Sequence, residues 1–90
     1  MTVKHIFVIG AGTMGNGIAQ VAATSGYIVS CMDVQPAALE KARATIEKSA
    51  AKLMDKGHLT KEQKSGADAI RFVSNMDTMK DADLVIEAAT

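Results

Sequence analysis

The sequence predicts an α/β domain built on a parallel β-sheet, and three observations lead to this prediction. A continuous apolar run over residues 6–9 ends in glycines spaced G-x-G-x-x-G, at Gly10, Gly12 and Gly15. A segment with helical periodicity follows the glycines at once, and a second apolar run covers residues 27–32. This order of strand, glycine turn, helix and strand is typical of the Rossmann-type unit that binds dinucleotides.

Each of the three glycines is expected to have its own role. Gly10 allows a tight turn out of the strand, Gly12 leaves room for a pyrophosphate, and Gly15 lets the helix pack closely. The free N–H groups and the positive dipole end of that helix would face the phosphates. An alternative is that the glycines form a turn in an unrelated α/β protein.

The second strand ends at Asp33, eighteen residues after Gly15, where this fingerprint expects an acidic residue. Its carboxylate would accept hydrogen bonds from both ribose hydroxyls and would repel the 2′-phosphate of NADP. No arginine follows to bind such a phosphate, because the next residues are Val34, Gln35 and Pro36. We therefore expect NAD as the cofactor. The alternative is that Asp33 caps the following helix.

Apolar periodicity and helix-terminal signals predict the other elements. Strands are expected over residues 3–9, 27–33, 70–73 and 84–87, and helices over 13–25, 36–56 and about 60–66, with a helical turn in 75–80. Right-handed crossovers would give a Rossmann-type parallel sheet in the order 3-2-1-4, incomplete and truncated after the fourth strand.

Hydrophobic spacing also predicts which helix faces are buried, and residue types predict the start of the third helix. Thr60 and Gln63 have the spacing of a capping box. For the first helix, the expected buried residues are Met14, Ile18, Val21 and Ala22. For the second helix, they are Leu39, Ala42, Ile46, Ala50 and Leu53.

Composition excludes several classes of function. Ten basic and ten acidic side chains cancel, and aromatic residues make up only 3% of the chain, so nucleic acid is not an expected partner. No apolar run is long enough to cross a membrane. No secretory signal is expected either, because the apolar stretch near the start is short and runs straight into the glycine turn. The single cysteine, Cys31, is expected to be a buried, inert thiol in a reducing, cytoplasmic compartment. No metal site is expected.

Beyond the glycines, the sequence resembles the N-terminal part of the NAD-dependent 3-hydroxyacyl-CoA dehydrogenases, including the 3-hydroxybutyryl-CoA members of that family. The segments that carry the resemblance are residues 8–20 (VIGAGTMGNGIAQ), Asp33, residues 57–60 (GHLT) and residues 81–89 (DADLVIEAA). The extension M-G-x-G-I-A-Q is much more specific than the glycines alone. The resemblance covers essentially all ninety residues but only the first third of such an enzyme.

The resemblance implies hydride transfer between NAD and the 3-hydroxy group of an acyl-CoA, as in fatty acid β-oxidation and butanoate metabolism. It implies a homodimer, and it implies CoA contacts at Ser49 and Lys56, which share a helix face with Lys52. A lysine-bearing face is otherwise simply solvated, which is the alternative. The residues expected to bind NAD are Gly10, Ala11, Gly12, Thr13, Met14, Gly15, Asp33, Gln35, Ala88 and Ala89.

In the family, the catalytic histidine and a helical C-terminal domain follow the region that matches residues 1–90. We therefore expect residues 1–90 to be the N-terminal part of an NAD-binding Rossmann domain, without a catalytic residue and inactive alone. His5 and His58 are expected to be structural or surface histidines. Because the fourth strand would lie at an apolar sheet edge, we also expect this chain to self-associate.

Two other functions remain open on the sequence. One is a dinucleotide-binding module without chemistry, such as a redox sensor or a crystallin-like relative of the same family. The other is a different glycine-fingerprint dehydrogenase that acts on β-hydroxy acids. Such enzymes tend to resemble this chain in the glycine turn but not in residues 81–89.

Overall fold

The computed structural model describes residues 2–88. Within them the chain forms four strands and three α-helices, and a short 3-10 turn at Met79–Asp81 precedes the last strand. Most boundaries lie within two residues of the predicted ones. In chain order the elements are β1 (His5–Ile9), α1 (Thr13–Thr24), β2 (Ile28–Met32), α2 (Pro36–Asp55), α3 (Lys61–Asp68), β3 (Arg71–Val73) and β4 (Leu84–Glu87).

The four strands form one parallel sheet in the order β3-β2-β1-β4, which confirms the predicted topology. At the carboxyl end of the sheet, Ile9 of β1 lies beside Met32 of β2 and Glu87 of β4. The glycine turn after Ile9 and the acidic residue after Met32 therefore leave the sheet side by side. Ligands of open parallel sheets bind at this end of the strands.

The hydrophobic core lies between the sheet and the three helices. In α2 the predicted face is confirmed, because Ala42, Ile46 and Ala50 are buried and Leu39 and Leu53 are half-buried. The strands contribute alternate residues to this core, as expected for a sheet whose other residues face away from the helices. The strand residues of the core are Ile6, Val8, Val29 and Cys31, with Phe72 and Ile86 packed against them.

The predicted buried face of α1 is partly wrong. Met14 and Val21 are 57% and 66% exposed, and small residues face the sheet instead. The reason is the short distance between this helix and the glycine turn, because a Cβ atom on Gly15 would lie 1.7 Å from the carbonyl oxygen of Gly10. Only small side chains fit in so narrow a space. The buried residues of α1 are Gly15, Ala19, Ala22 and Ala23.

The predicted capping box at the start of α3 is confirmed. The backbone N–H of Gln63 donates to Thr60 Oγ1 over 3.1 Å, and the backbone N–H of Thr60 donates to Gln63 Oε1 over 2.8 Å. These two bonds satisfy N–H groups that the short helix leaves without partners. In the part of the chain that the structure describes, no helix is both long and apolar enough to span a bilayer.

Candidate cofactor-binding site

The turn between β1 and α1 needs glycine at two positions for two different reasons. Gly10 has a φ of 104°, in the left-handed region that glycine enters at no steric cost. Its N–H donates to the carbonyl oxygen of Met32 over 2.7 Å, which joins the turn to β2. Gly15 is required because any side chain there would overlap the carbonyl of Gly10. The turn is therefore held against the helix start.

The N-terminus of α1 is open. Gly12 is the N-cap residue, no side chain caps the helix, and its first turn contains no acidic residue. A Cβ atom on Gly12 would meet nothing within 4 Å, so free space lies directly beside the N-cap. Thr13 and Met14 are exposed next to it. Unpaired backbone N–H groups and the helix dipole make such an end favourable for a phosphate group.

Asp33 joins the glycine turn to the segment that precedes α2. Its Oδ2 accepts a hydrogen bond from the backbone N–H of Ala11 over 3.1 Å, and its Oδ1 accepts one from the N–H of Gln35 over 2.9 Å. An ionised carboxylate has about four acceptor positions, so each oxygen can accept a further bond. The N-cap residue of α2 is Gln35, two residues later, and its own side chain makes no capping hydrogen bond. Asp33 is therefore not the cap of α2.

An apolar cleft of about 190 Å³ lies beside Asp33. Two of its residues, Val34 and Met76, are 72% and 46% exposed although they are apolar. Neither residue was predicted from the sequence as part of the site. An apolar residue directly after the acidic end of a strand was a possible signal for Val34, whereas no local pattern marked Met76. The cleft is lined by Ile9, Gly10, Met32, Asp33, Val34 and Met76.

The end of β4 closes the other side of the glycine turn. Ala88 is buried, and its N–H donates to the carbonyl oxygen of Ile9 over 2.8 Å. The Cβ atom of Ala88 lies 3.8 Å from the position that a Cβ on Gly15 would take. Ala89, the other residue expected to bind NAD in this segment, lies outside the described residues.

The two residues expected to contact CoA have different surroundings. Ser49 is half-buried between α1 and α2, where its Oγ accepts a hydrogen bond from Gln20 Nε2 over 3.0 Å. Lys56 is the C-cap residue of α2 and is exposed, as is Lys52 on the same face. Within residues 2–88, neither lysine forms an ion pair.

The two histidines lie apart from the glycine turn in the fold. His5 begins β1, at the opposite end of that strand, where its Nε2 lies 2.9 Å from Ser30 Oγ in a buried pair. His58 is exposed in the loop after α2. Among residues 2–88, no three histidine, cysteine or acidic side chains are grouped so that they could hold a metal ion.

The thiol of Cys31 is buried beneath the turn, with its Sγ 3.9 Å from the carbonyl oxygen of Gly10. Burial, and to a smaller extent the nearby negative charge of Asp33, raises the pKa of this thiol to about 11. A thiol with so high a pKa is almost entirely protonated at neutral pH and is a poor nucleophile.

A comparison with protein families identifies the type of domain. The family model of the NAD-binding domain of 3-hydroxyacyl-CoA dehydrogenase matches residues 5–90. The chain belongs to this family. The open helix end, the glycine turn and Asp33 therefore lie in an NAD-binding domain, and NAD is the cofactor that the family description names.

Individual relatives agree with this assignment. A probable 3-hydroxybutyryl-CoA dehydrogenase of Deinococcus radiodurans is 46% identical over 81 residues, which are 90% of this chain and 29% of that protein. A probable 3-hydroxybutyryl-CoA dehydrogenase of Bacillus subtilis is 42% identical, over 98% of this chain and 31% of its own length. The NAD-binding domain described here thus spans about 30% of the curated relatives that it matches.

Solved structures show the same fold. The crystal structure of 3-hydroxybutyryl-CoA dehydrogenase from Escherichia coli superimposes with a TM-score of 0.93 at 37% identity, over 100% of this chain and 19% of that chain. The (S)-3-hydroxybutyryl-CoA dehydrogenase from Ralstonia eutropha gives a TM-score of 0.89 at 41% identity, over 99% of this chain and 32% of that chain.

Proposed function

We propose that residues 1–90 form the cofactor-binding part of an NAD-dependent 3-hydroxyacyl-CoA dehydrogenase, an oxidoreductase that interconverts 3-hydroxyacyl-CoA and 3-oxoacyl-CoA. The observation that carries this proposal is the position of Asp33, which is bonded to Ala11 across the glycine turn and faces an apolar cleft. When bound, NAD supplies the hydride acceptor.

The described residues fit a dinucleotide. The space beside Gly12 and the uncapped start of α1 suit the pyrophosphate, and the free acceptor positions of Asp33 suit the ribose hydroxyls. The apolar cleft between Val34 and Met76 suits a flat adenine ring. We infer that these three parts bind the ADP portion of NAD, and that Thr13, Met14, Gln35, Ala88 and Ala89 complete its contacts.

The test is selectivity between NAD and NADP. A phosphate on the 2′-oxygen would meet the negative charge of Asp33, so we expect the complete protein to bind NAD at least about tenfold more tightly than NADP. Asp33→Asn removes the charge with little change of shape and should reduce this ratio. Asp81→Asn, at the opposite end of the sheet, is the matched control. Equal affinity of the unmodified protein for the two cofactors would contradict the proposal.

For the acyl-CoA substrate, we propose that Ser49 and Lys56 contact the CoA moiety. The support is the combination of a half-buried hydroxyl with two exposed lysines, Lys52 and Lys56, along one face of α2. We expect Lys56→Ala to raise the KM for acyl-CoA more than the KM for NAD. Lys80→Ala, another exposed lysine, should change neither constant.

We further propose that the group that accepts the hydroxyl proton lies outside residues 1–90. Support comes from the histidines, since His5 is paired with Ser30 at the far end of β1 and His58 is exposed. Oxidation of NADH with acetoacetyl-CoA should therefore be undetectable with the 90-residue chain and measurable with the complete protein. Turnover by the short chain that His58→Ala abolishes would contradict this.

We infer that the complete protein is a homodimer and acts in the cytoplasm. A single buried cysteine that needs no partner is compatible with a reducing compartment. Apolar side chains that remain exposed on α1 and β4 are compatible with an interface. The mass of the complete protein in solution tests the dimer.

A further inference from the structure

A single side-chain hydrogen bond joins α1 to the face of α2 that carries Ser49. Gln20 lies on α1, is half-buried, and donates its amide Nε2–H to Ser49 Oγ over 3.0 Å. The two residues are 29 positions apart in the chain. This contact is formed by the packing of the two helices, and it connects the helix that begins at the glycine turn with the proposed CoA contact.

The direction of this bond decides what the Ser49 hydroxyl can offer to a ligand. A serine hydroxyl has one hydrogen to donate and lone pairs to accept with. At the end of α1, the hydroxyls of Thr24 and of the C-cap residue Ser25 donate to carbonyls of this helix, so their hydrogens are used within the protein. The Ser49 oxygen accepts from Gln20, and among residues 2–88 its hydrogen has no acceptor. Ser49 is therefore left as a donor.

Gln20 is thus in a position to act on the substrate through Ser49. We propose that Gln20 is a positioning residue for acyl-CoA, which holds the Ser49 hydroxyl so that its hydrogen points to an acceptor on the CoA moiety. This inference rests on the proposed contact between Ser49 and CoA. The phosphates and amide carbonyls of CoA are all acceptors, and a bond to an anionic acceptor is stronger than one between neutral groups.

Two substitutions of Gln20 separate positioning from simple packing. Gln20→Met keeps the length of the side chain and removes the hydrogen bond, so the hydroxyl is free but no longer oriented. Gln20→Glu keeps the shape and the bond but reverses its direction, because a carboxylate only accepts and takes up the serine hydrogen. A structural role predicts that the glutamate, which retains a bond, is tolerated better than the methionine. If Gln20 positions the Ser49 hydroxyl, the glutamate variant should instead bind CoA more weakly than the methionine variant.

The experiment measures the dissociation constant of coenzyme A for the complete protein, together with kcat and the KM values for acetoacetyl-CoA and NADH. We expect Gln20→Glu to weaken CoA binding about tenfold and Gln20→Met to weaken it less, with the KM for NADH and kcat little changed. Thermal melting reports separately on folding. If the methionine variant binds CoA as weakly as the glutamate variant, or more weakly, the inference is overturned.

The Ser49→Ala background controls for the new negative charge. If Gln20 acts through Ser49, the difference between the glutamate and methionine variants should disappear when the hydroxyl is absent. A difference that persists there is repulsion between the carboxylate and CoA and overturns the inference.

The same variants distinguish the role of Gln20 from the proposed contact of Ser49 and Lys56 with CoA, on which it rests. If Ser49→Ala and Lys56→Ala weaken CoA binding but Gln20→Glu does not, the CoA contact stands and the role of Gln20 is wrong. If neither Ser49→Ala nor Lys56→Ala changes CoA binding, the proposed contact is wrong, and the inference is overturned with it.

Discussion

At the scale of single residues, three glycines near the start of α1 differ in what a methyl group would meet. At Gly15 a Cβ atom would lie 1.7 Å from the Gly10 carbonyl oxygen and 2.7 Å from its carbon, both of them backbone atoms. At Gly12 and Gly17 nothing lies within 4 Å. Substitution by alanine is therefore expected to have an outcome that depends on the position of the glycine in the fold.

We predict that Gly15→Ala destabilises the domain by about 3 kcal/mol or more, because backbone cannot move aside as a flexible side chain can. Gly17→Ala, inside α1, should instead stabilise it by about 0.5–1 kcal/mol through higher helix propensity. Gly12→Ala should change stability little and weaken NAD binding, because its methyl group would occupy the proposed pyrophosphate space. Chemical denaturation and NAD titration measure the two effects, and a Gly15→Ala variant as stable as the parent would contradict the packing argument.

Residue identity alone predicted the glycine turn and the position of Asp33 at the end of β2, because local backbone geometry and fixed spacing determine both. It did not predict that Asp33 would bond to Ala11, nor that Val34 and Met76 would line a cleft. The bond between Gln20 and Ser49 had no local signal either, since it joins two helices that meet only in the folded chain. Contacts of this kind depend on how the elements pack against each other.

At the scale of elements, Asp83 joins the starts of β1 and β4. Its Oδ2 accepts from the backbone N–H groups of Lys4 and His5, over 2.8 and 3.0 Å, and its own N–H donates to the His5 carbonyl oxygen. The bond from His5 N–H, followed by that from Lys4 N–H, lowers the pKa of the Asp83 carboxyl below its ordinary value of 3.8. The ionised form is therefore bound more strongly in the folded state.

A lowered pKa in the folded state gives a defined pH dependence. The stabilisation by Asp83 is complete above the ordinary pKa of 3.8 and is lost as the pH falls through the lower, folded-state pKa. We predict that Asp83→Asn lowers Tm at pH 7 and that this difference shrinks when both proteins are melted near pH 3. Asp81→Asn, an exposed neighbour without a side-chain hydrogen bond among residues 2–88, is the control. A difference independent of pH would show that the charge is not involved.

Element boundaries were predicted well and one helix face was not. The turn residues, the capping box at Thr60 and the continuous apolar runs are local signals, so the strands and helices could be found from the sequence. The prediction of the buried face of α1 was wrong because hydrophobic periodicity assigns the largest apolar residues to the core. The close approach at Gly15 reserves the sheet side for small residues, and this leaves Met14 and Val21 outside.

At the scale of the whole molecule, β4 is an edge strand of the described sheet and it is apolar. It pairs with β1 on one side, and Leu84 and Val85 are 44% and 42% exposed. An apolar edge with unpaired backbone groups is a template for another chain. We predict that the 90-residue chain, produced alone, dimerises or aggregates as its concentration rises.

Light scattering over a concentration series tests this. Val85→Lys places a charge on the edge strand and should shift the chain towards the monomer. Val21→Lys places the same charge on the exposed face of α1 and serves as the comparison. A clean monomer mass for the unmodified chain at high concentration would contradict the prediction, and dissociation by Val21→Lys alone would place the contact on α1.

The buried thiol under the glycine turn has a consequence for following the motions of this domain. Cys31 is both inaccessible and protonated in the folded state, so an alkylating reagent can reach and attack it only in molecules that have opened. Because residues 1–90 contain no second cysteine, the alkylation rate of Cys31 reports directly on how often α1 separates from the sheet. Ligands that bind at the glycine turn should lower this alkylation rate, and the rate should fall as a larger fraction of the protein is bound.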